Sequence, residues 1–344
     1  MGFSSFVVAG GRAYTVGYAK DADTVVCLDA ASGKPIWQHS YPSELGDKFF
    51  EGGTTGTPTV DGDRVYTFSR WGDVFCLDAG TGKVVWSKNV QKDLQVRLPG
   101  WGFSGAPLLY ENAIILNAGE AGLSLDKSTG NVLWQSANKD AGYSTPYPCT
   151  LEGKPLVIVG SAKAYVAVDP KTGKEAWRIR WLTEYGVNAA DPILDGDRLF
   201  VSTGYGKGAA LVKVDGGSQP QDVWKSKVLR TQLNGAILFN GHLYGVDGDT
   251  TEKASLKCVD FETGAEKWAQ SGFGNGSVVI ADGKLIALSG GGELSVAPAT
   301  PDGFKPVARA HVLGGKCWTT PVLADGRLYC RNWQGQVVCL DLRK

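Results

Sequence analysis

The sequence predicts an all-β fold, a single eight-bladed β-propeller with four-stranded antiparallel blades, and three observations carry that prediction. The first is a turn-plus-tryptophan segment that recurs along the chain: Leu28-Asp29 to Trp37, Leu77-Asp78 to Trp86, Leu125-Asp126 to Trp134, Val168-Asp169 to Trp177, Val214-Asp215 to Trp224 and Val259-Asp260 to Trp268. A worn seventh copy has Pro298 and Val307 in the Asp and Trp places, and an eighth begins at Leu340-Asp341. Successive copies lie 38 to 49 residues apart, the length of one four-stranded blade. The second is an Asp-Gly or Asn-Gly pair upstream in five units, at 61, 195, 240, 282 and 325, the dipeptide that suits a two-residue hairpin. The third is composition: 47 glycines, 15 prolines, 11 tryptophans and one methionine in 344 residues favour many short strands and tight turns over long helices.

Each unit is then read in order. Short apolar-aromatic runs between the two turns, such as Arg64-Val65-Tyr66-Thr67-Phe68 and Arg327-Leu328-Tyr329-Cys330, are strands. The Asp-x-x-Thr-Gly turn joins the third strand to the fourth. Its Asp caps backbone N–H groups two and three residues on, and its Gly takes the left-handed conformation. Trp37, Trp86, Trp134, Trp177, Trp224 and Trp268 follow on the fourth strand, where each can bury its ring against the next blade. The predicted blades cover approximately 3–40, 54–90, 103–137, 143–181, 188–227, 233–270, 275–309 and 317–344. The first strand is expected from Ser4 to Val8, and the last blade is expected to lack its fourth strand. That shortfall suggests a leader and one strand ahead of Met1 in a parent sequence.

Lys plus Arg and Asp plus Glu balance at 35 each, so no net field draws in nucleic acid. No apolar run approaches the roughly 20 residues of a bilayer span, and no signal peptide opens the chain. Cys27, Cys76, Cys258 and Cys339 each sit two residues before the repeated Asp, one structural position where a small apolar side chain packs well. Cys149, Cys317 and Cys330 fall outside that pattern, with a disulfide among them left open, and no C-x-x-C spacing points to zinc. Three histidines and no G-x-S-x-G leave little for a serine hydrolase. Asp247-Gly248-Asp249-Thr250-Thr251-Glu252 starts like a calcium loop but lacks the third acidic position and the glycine at six, which leaves Asp247 and Asp249 as weak metal candidates.

The pattern small-x-Asp-x-x-Thr-Gly-Lys-x-x-Trp resembles the tryptophan-docking repeat of the pyrroloquinoline-quinone (PQQ) propellers, a family that contains quinoprotein alcohol dehydrogenases and an outer-membrane protein assembly factor. The resemblance spans nearly the whole chain and implies a bacterial, periplasmic or otherwise extracytoplasmic protein. It also implies that the connections from fourth strand to first, and from second to third, form the functional face. On those connections lie Arg70, Trp71, Arg97, Trp101, Trp181, Tyr185, Asn188, Asp191, Lys316, Trp318, Arg331 and Trp333. Trp71, Trp101, Trp181, Trp318 and Trp333 are the five tryptophans outside the repeat. Interleaved with Arg and Lys, they either stack a planar anionic ligand such as PQQ or fill the channel. Asp191, which replaces the small residue usual before Pro at the start of a first strand, is the candidate catalytic carboxylate, with Asn188 beside it.

Two functions follow from the resemblance. One is a non-catalytic binding or scaffold module, monomeric, that takes a protein partner or a small ligand on its loop face. The other is a PQQ-dependent oxidoreductase of alcohols or sugars, with calcium on the quinone. The chain lacks the adjacent cysteines that many such dehydrogenases carry over the ring and is much shorter than those enzymes, which favours the first.

Overall fold

A computed structural model describes residues 1–249 and 253–343. It is an eight-bladed β-propeller. Seven sheets of four strands and one of three follow in chain order, and in each the strands are hydrogen-bonded in sequence order. The sheets span residues 7–42, 59–89, 108–135, 147–180, 193–226, 237–270, 277–311 and 322–341. The first strand is Val7–Ala9 and begins later than Ser4, because Ser4 and Ser5 are engaged elsewhere: Ser4 Oγ accepts from Val16 N and Ser5 N donates to Thr57 Oγ1. The last sheet consists of Val322–Ala324, Arg327–Arg331 and Val337–Asp341, one strand short as expected.

The repeated turns close on themselves. Asp78 Oδ1 accepts from Thr81 N and Thr81 Oγ1, both at 2.8 Å, and Gly82 N returns to Asp78 O with φ of 72°. Glycine is required there twice over. Besides the left-handed backbone, a Cβ on Gly82 would lie 2.5 Å from the Trp37 ring, and one on Gly130 or Gly173 2.7 or 2.6 Å from Trp86 or Trp134. In the first six blades the indole of the fourth strand lies over the turn of the next blade. Its N–H donates to a carbonyl there: Trp37 to Ala79, Trp86 to Lys127, Trp134 to Pro170, Trp177 to Asp215, Trp224 to Phe261 and Trp268 to Thr300. The acceptor follows the turn Asp by one residue in four cases. The Asp215-Gly216-Gly217-Ser218 turn departs from the repeat, and there Asp215 itself accepts. In the worn seventh unit the acceptor is Thr300.

Between third and fourth strands a register shift recurs, and the residue before it faces the tryptophan: Cys27 opposite Trp37, Cys76 opposite Trp86 and Cys258 opposite Trp268. These three thiols are buried beneath Tyr14, Tyr66 and Tyr244, whose rings lean on the same tryptophans at 5.9, 6.3 and 6.1 Å. Burial pushes the Cys258 thiol up to about 11, as befits a packing residue. Cys339 alone of the four is exposed. Cys149, Cys317 and Cys330 are free thiols, so no disulfide forms among them; Cys317 and Cys330 sit in one apolar cluster with Leu288, Leu313 and Leu328.

By compactness the chain divides into two units, Met1–Pro148 with Pro155–Ala176, and Cys149–Lys154 with the chain from Trp177 onward. The division runs through the fourth blade.

Candidate functional site

In the first unit the predicted residues Arg70, Trp71 and Trp101 come together. Arg70, on the connection between the second and third strands of blade two, is buried. Its Nη1 donates to Leu45 O at 3.2 Å and Gly53 O at 3.4 Å, and Nη2 to Trp101 O at 2.9 Å. The guanidinium lies 4.8 Å from the Phe50 ring centroid and 5.2 Å from that of Trp71. Gly46 and Gly102, both left-handed, give it room, since a Cβ at either would lie 2.6 Å from Cζ or 3.1 Å from Nε. Burial lowers its pKa below the arginine range. Arg70 is therefore a clamp joining two long loops, residues 43–58 and 90–107, and its charge is spent inside the protein rather than offered to an anion.

What the clamp holds is an aromatic surface. Phe49 stands 57% exposed, 5.4 Å from Trp101, and Trp101 meets Tyr143 edge-on at 6.0 Å. Trp71 Nε1 donates to Glu44 O. Arg97 points outward and pairs with Asp140 at 2.8 Å. The segment between the second and third blades, residues 90–107, opens with a helix, Val90–Leu94, capped by Asn89 through Gln91 N and Lys92 N. Beneath this surface lies Asp23, a buried carboxylate that accepts from Ser43 Oγ at 3.0 Å. Burial, reinforced by nearby Asp73 and opposed by Ser43, pushes it up to about 6. Sequence reasoning missed Asp23, Phe49 and Phe50. Period two would have revealed Asp23, which shares a strand face with the fully buried Val25 and Cys27.

In the second unit Trp181 is buried and Lys207 Nζ lies 4.7 Å over its ring. Asn188 holds the loop by donating to Trp181 O at 3.1 Å and accepting from Thr203 Oγ1 at 3.1 Å. Tyr185 is exposed and meets Tyr205 edge-on. Asp191 is exposed as well. It precedes the strand Ile193–Asp195, and an exposed carboxylate keeps its hydration. Lys316 Nζ stacks 4.2 Å over Trp318, Trp333 N donates to Lys316 O, and Asn234 ties Trp318 O to Gly276 O. Arg331 is buried, and burial lowers it to about 10.

Asp247, a weak candidate ligand for calcium, which takes several oxygen ligands, is already engaged by two cations. Asp247 accepts from Arg230 Nε at 2.9 Å and Nη2 at 3.1 Å and pairs with Lys257 at 3.0 Å. Burial would raise its pKa, but these two cations hold it below the usual range. Thr250, Thr251 and Glu252 of the calcium-like segment lie outside the described residues, and among the described residues no three His, Cys, Asp or Glu side chains converge on a metal position.

Eight blades of this repeat define a propeller of the PQQ-like class. Within that class, residues 21–270 match the family model described as outer membrane protein assembly factor BamB, and the chain belongs to that family. None of the curated proteins matches it in sequence. Among solved structures it is similar to BamB from Moraxella catarrhalis at 18% identity and TM-score 0.70, over 98% of this chain and 93% of that one. Quinohemoprotein alcohol dehydrogenase from Comamonas testosteroni aligns at 14% identity and TM-score 0.67, over 95% and 70%. A computationally designed protein, Ika8, aligns at 13% and 0.67, over 98% and 95%. At these identities the likeness is one of fold.

Proposed function

We propose that the chain is a non-catalytic binding propeller that grips a protein partner through the loop ends of its blades, with Phe49 at the centre of the contact in the first unit. The observation that carries this reading is the clamp: buried Arg70 bonds to carbonyls of Leu45, Gly53 and Trp101 and stacks on Phe50 and Trp71, and Phe49 stands exposed against Trp101. Exposed aromatics over a preordered base are the composition of interface hot spots. The match to a family described as an assembly factor supports it, as does the commitment of Asp247 to Arg230 and Lys257. The same family match favours an extracytoplasmic setting. Among the described residues no helix is long and apolar enough to cross a membrane.

Two measurements test the reading together. A photo-crosslinking phenylalanine analogue at position 49 should give a discrete protein adduct in cells, while the same analogue at exposed Val132, away from the loops, should not. Titrating PQQ with calcium into the purified protein should give no calorimetric binding at tens of micromolar, about the range a resident cofactor would saturate. Binding that is lost in Asp191→Ala or Trp101→Ala would sink the non-catalytic reading and revive the oxidoreductase.

A further inference from the structure

The loop that carries Phe49 leaves the sheet at Ser43, and Ser43 is tied there twice. Its N–H donates to Asp21 O at 3.0 Å and its hydroxyl to Asp23 Oδ2 at 3.0 Å. Farther along, Leu45 O and Gly53 O accept from Arg70, and Gly53 N returns to Leu45 O at 2.7 Å. Asp23 therefore anchors the root of the clamped loop, and a carboxylate is a costly anchor in that place. The residue is 2% exposed on the strand Ala22–Asp29. Among the described residues its carboxylate accepts from a neutral hydroxyl and joins no ion pair. Tyr41 lies opposite on the neighbouring strand, and its hydroxyl keeps its proton, pushed well above the ordinary range by burial and then by Asp23 and Asp73. Burial raises the Asp23 carboxyl, the Ser43 hydroxyl lowers it, Asp73 of blade two raises it, and Arg70 and the Met1 amino group lower it, with the balance at about 6.

A carboxylate shut away from water in this manner is relieved either by taking up a proton or by regaining water. Regaining water breaks the bond to Ser43, which frees the root of the loop. We infer that one proton sets the order of the Phe49 surface: with Asp23 protonated the loop 43–58 stays closed on Arg70, and with Asp23 ionised it opens more often. As regulation of partner binding this rests on Phe49 being the contact, whereas the opening itself does not. The direction follows from linkage, since a carboxyl that holds its proton more tightly when closed in than when hydrated makes protonation favour closure.

Hydrogen exchange of the full chain, followed by mass spectrometry over residues 43–53, measures the opening. Corrected for the intrinsic exchange rate at each pH, opening should become rarer by roughly fiftyfold from pH 8 to pH 4, with its midpoint near the carboxyl's value of about 6. Asp23→Asn should remove the dependence and keep the loop as closed at pH 8 as the wild type is at pH 4. Ser43→Ala removes a bond that favours the ionised form, so it should move the midpoint upward. Wild-type exchange that does not change with pH would overturn the proposal, as would a change that persists in Asp23→Asn or a midpoint that Ser43→Ala leaves in place. An adduct at position 49 together with pH-independent exchange would overturn the proton control alone. Exchange that follows pH without any adduct would support the proton control and overturn the partner contact alone.

Discussion

The turns that receive the tryptophans and the loop end built on Arg70 solve the same problem, the satisfaction of polar groups beside large rings, by opposite means. In the turns everything is local. Asp78 bonds to a residue three positions away, and the arrangement returns with small variations in blade after blade. At the loop end a single guanidinium reaches carbonyls 17, 25 and 31 residues distant, and it does so once. Repetition marks the part that makes the fold, and the unrepeated cluster marks the part free to acquire a function.

The largest effect should come from breaking the unrepeated side. Arg70→Met removes three bonds to backbone carbonyls, one of them buried, and a charge stacked between Phe50 and Trp71, a loss on the order of 3 kcal/mol. Urea unfolding should show it as a lower midpoint with unchanged slope. The adduct at position 49 should disappear as well, since Phe49 loses its base. A variant that keeps the adduct at full yield would mean that the clamp does not order the aromatic surface.

Asp23→Asn should act with the opposite sign. Because the folded state holds this carboxyl at about 6, above its unfolded value, the fold binds a proton more readily than the unfolded chain does. The charged form therefore costs stability, fully above pH 6 and progressively less as pH falls towards the unfolded value near 4. Replacing Asp23 should raise stability by about 2 kcal/mol at pH 8 and confer no advantage at about pH 4. A pH-independent gain would assign the effect to packing instead of charge.

At the turns a conservative change should cost less. Trp134→Phe keeps a buried ring but loses the bond to Pro170 O, worth about 1 kcal/mol. Trp37→Phe should cost the same, and the double variant should show simple addition, since the two lie in separate blades with no shared partner. Strong coupling between them would mean that the turns are not independent copies.

This contrast also explains what could be read from sequence. The turns were legible because each depends on residues within about ten positions of one another, and recurrence multiplies the signal. The same recurrence explained Cys27, Cys76 and Cys258, and the missing fourth strand of the last blade. The loop end was legible only as a composition. Its tryptophans and arginines stood out, but that Arg70 turns inward while Phe49 turns out depends on carbonyls of two other loops, which no local pattern encodes. Asp191 illustrates the limit. Its place before Pro at the start of a first strand is visible in the sequence, but whether that place is solvated depends on how other segments close around it, and Asp191 is exposed.

The smallest effect should come from a single turn aspartate. Asp78 is held below the ordinary carboxylate range chiefly by the Thr81 hydroxyl and then by the Thr81 N–H. A depressed folded pKa contributes stability that is present above the unfolded value, near 4, and is lost as pH falls through the folded one. Asp78→Ala should therefore lower the melting temperature slightly at neutral pH, and the difference from wild type should shrink under acid. Asp23→Asn, at the loop end, also loses its effect under acid but starts from a gain, so the two melting curves should approach wild type from opposite sides. If Asp78→Ala instead destabilises equally at every pH, the turn is held by shape alone, and its aspartate serves only to exclude other backbone conformations.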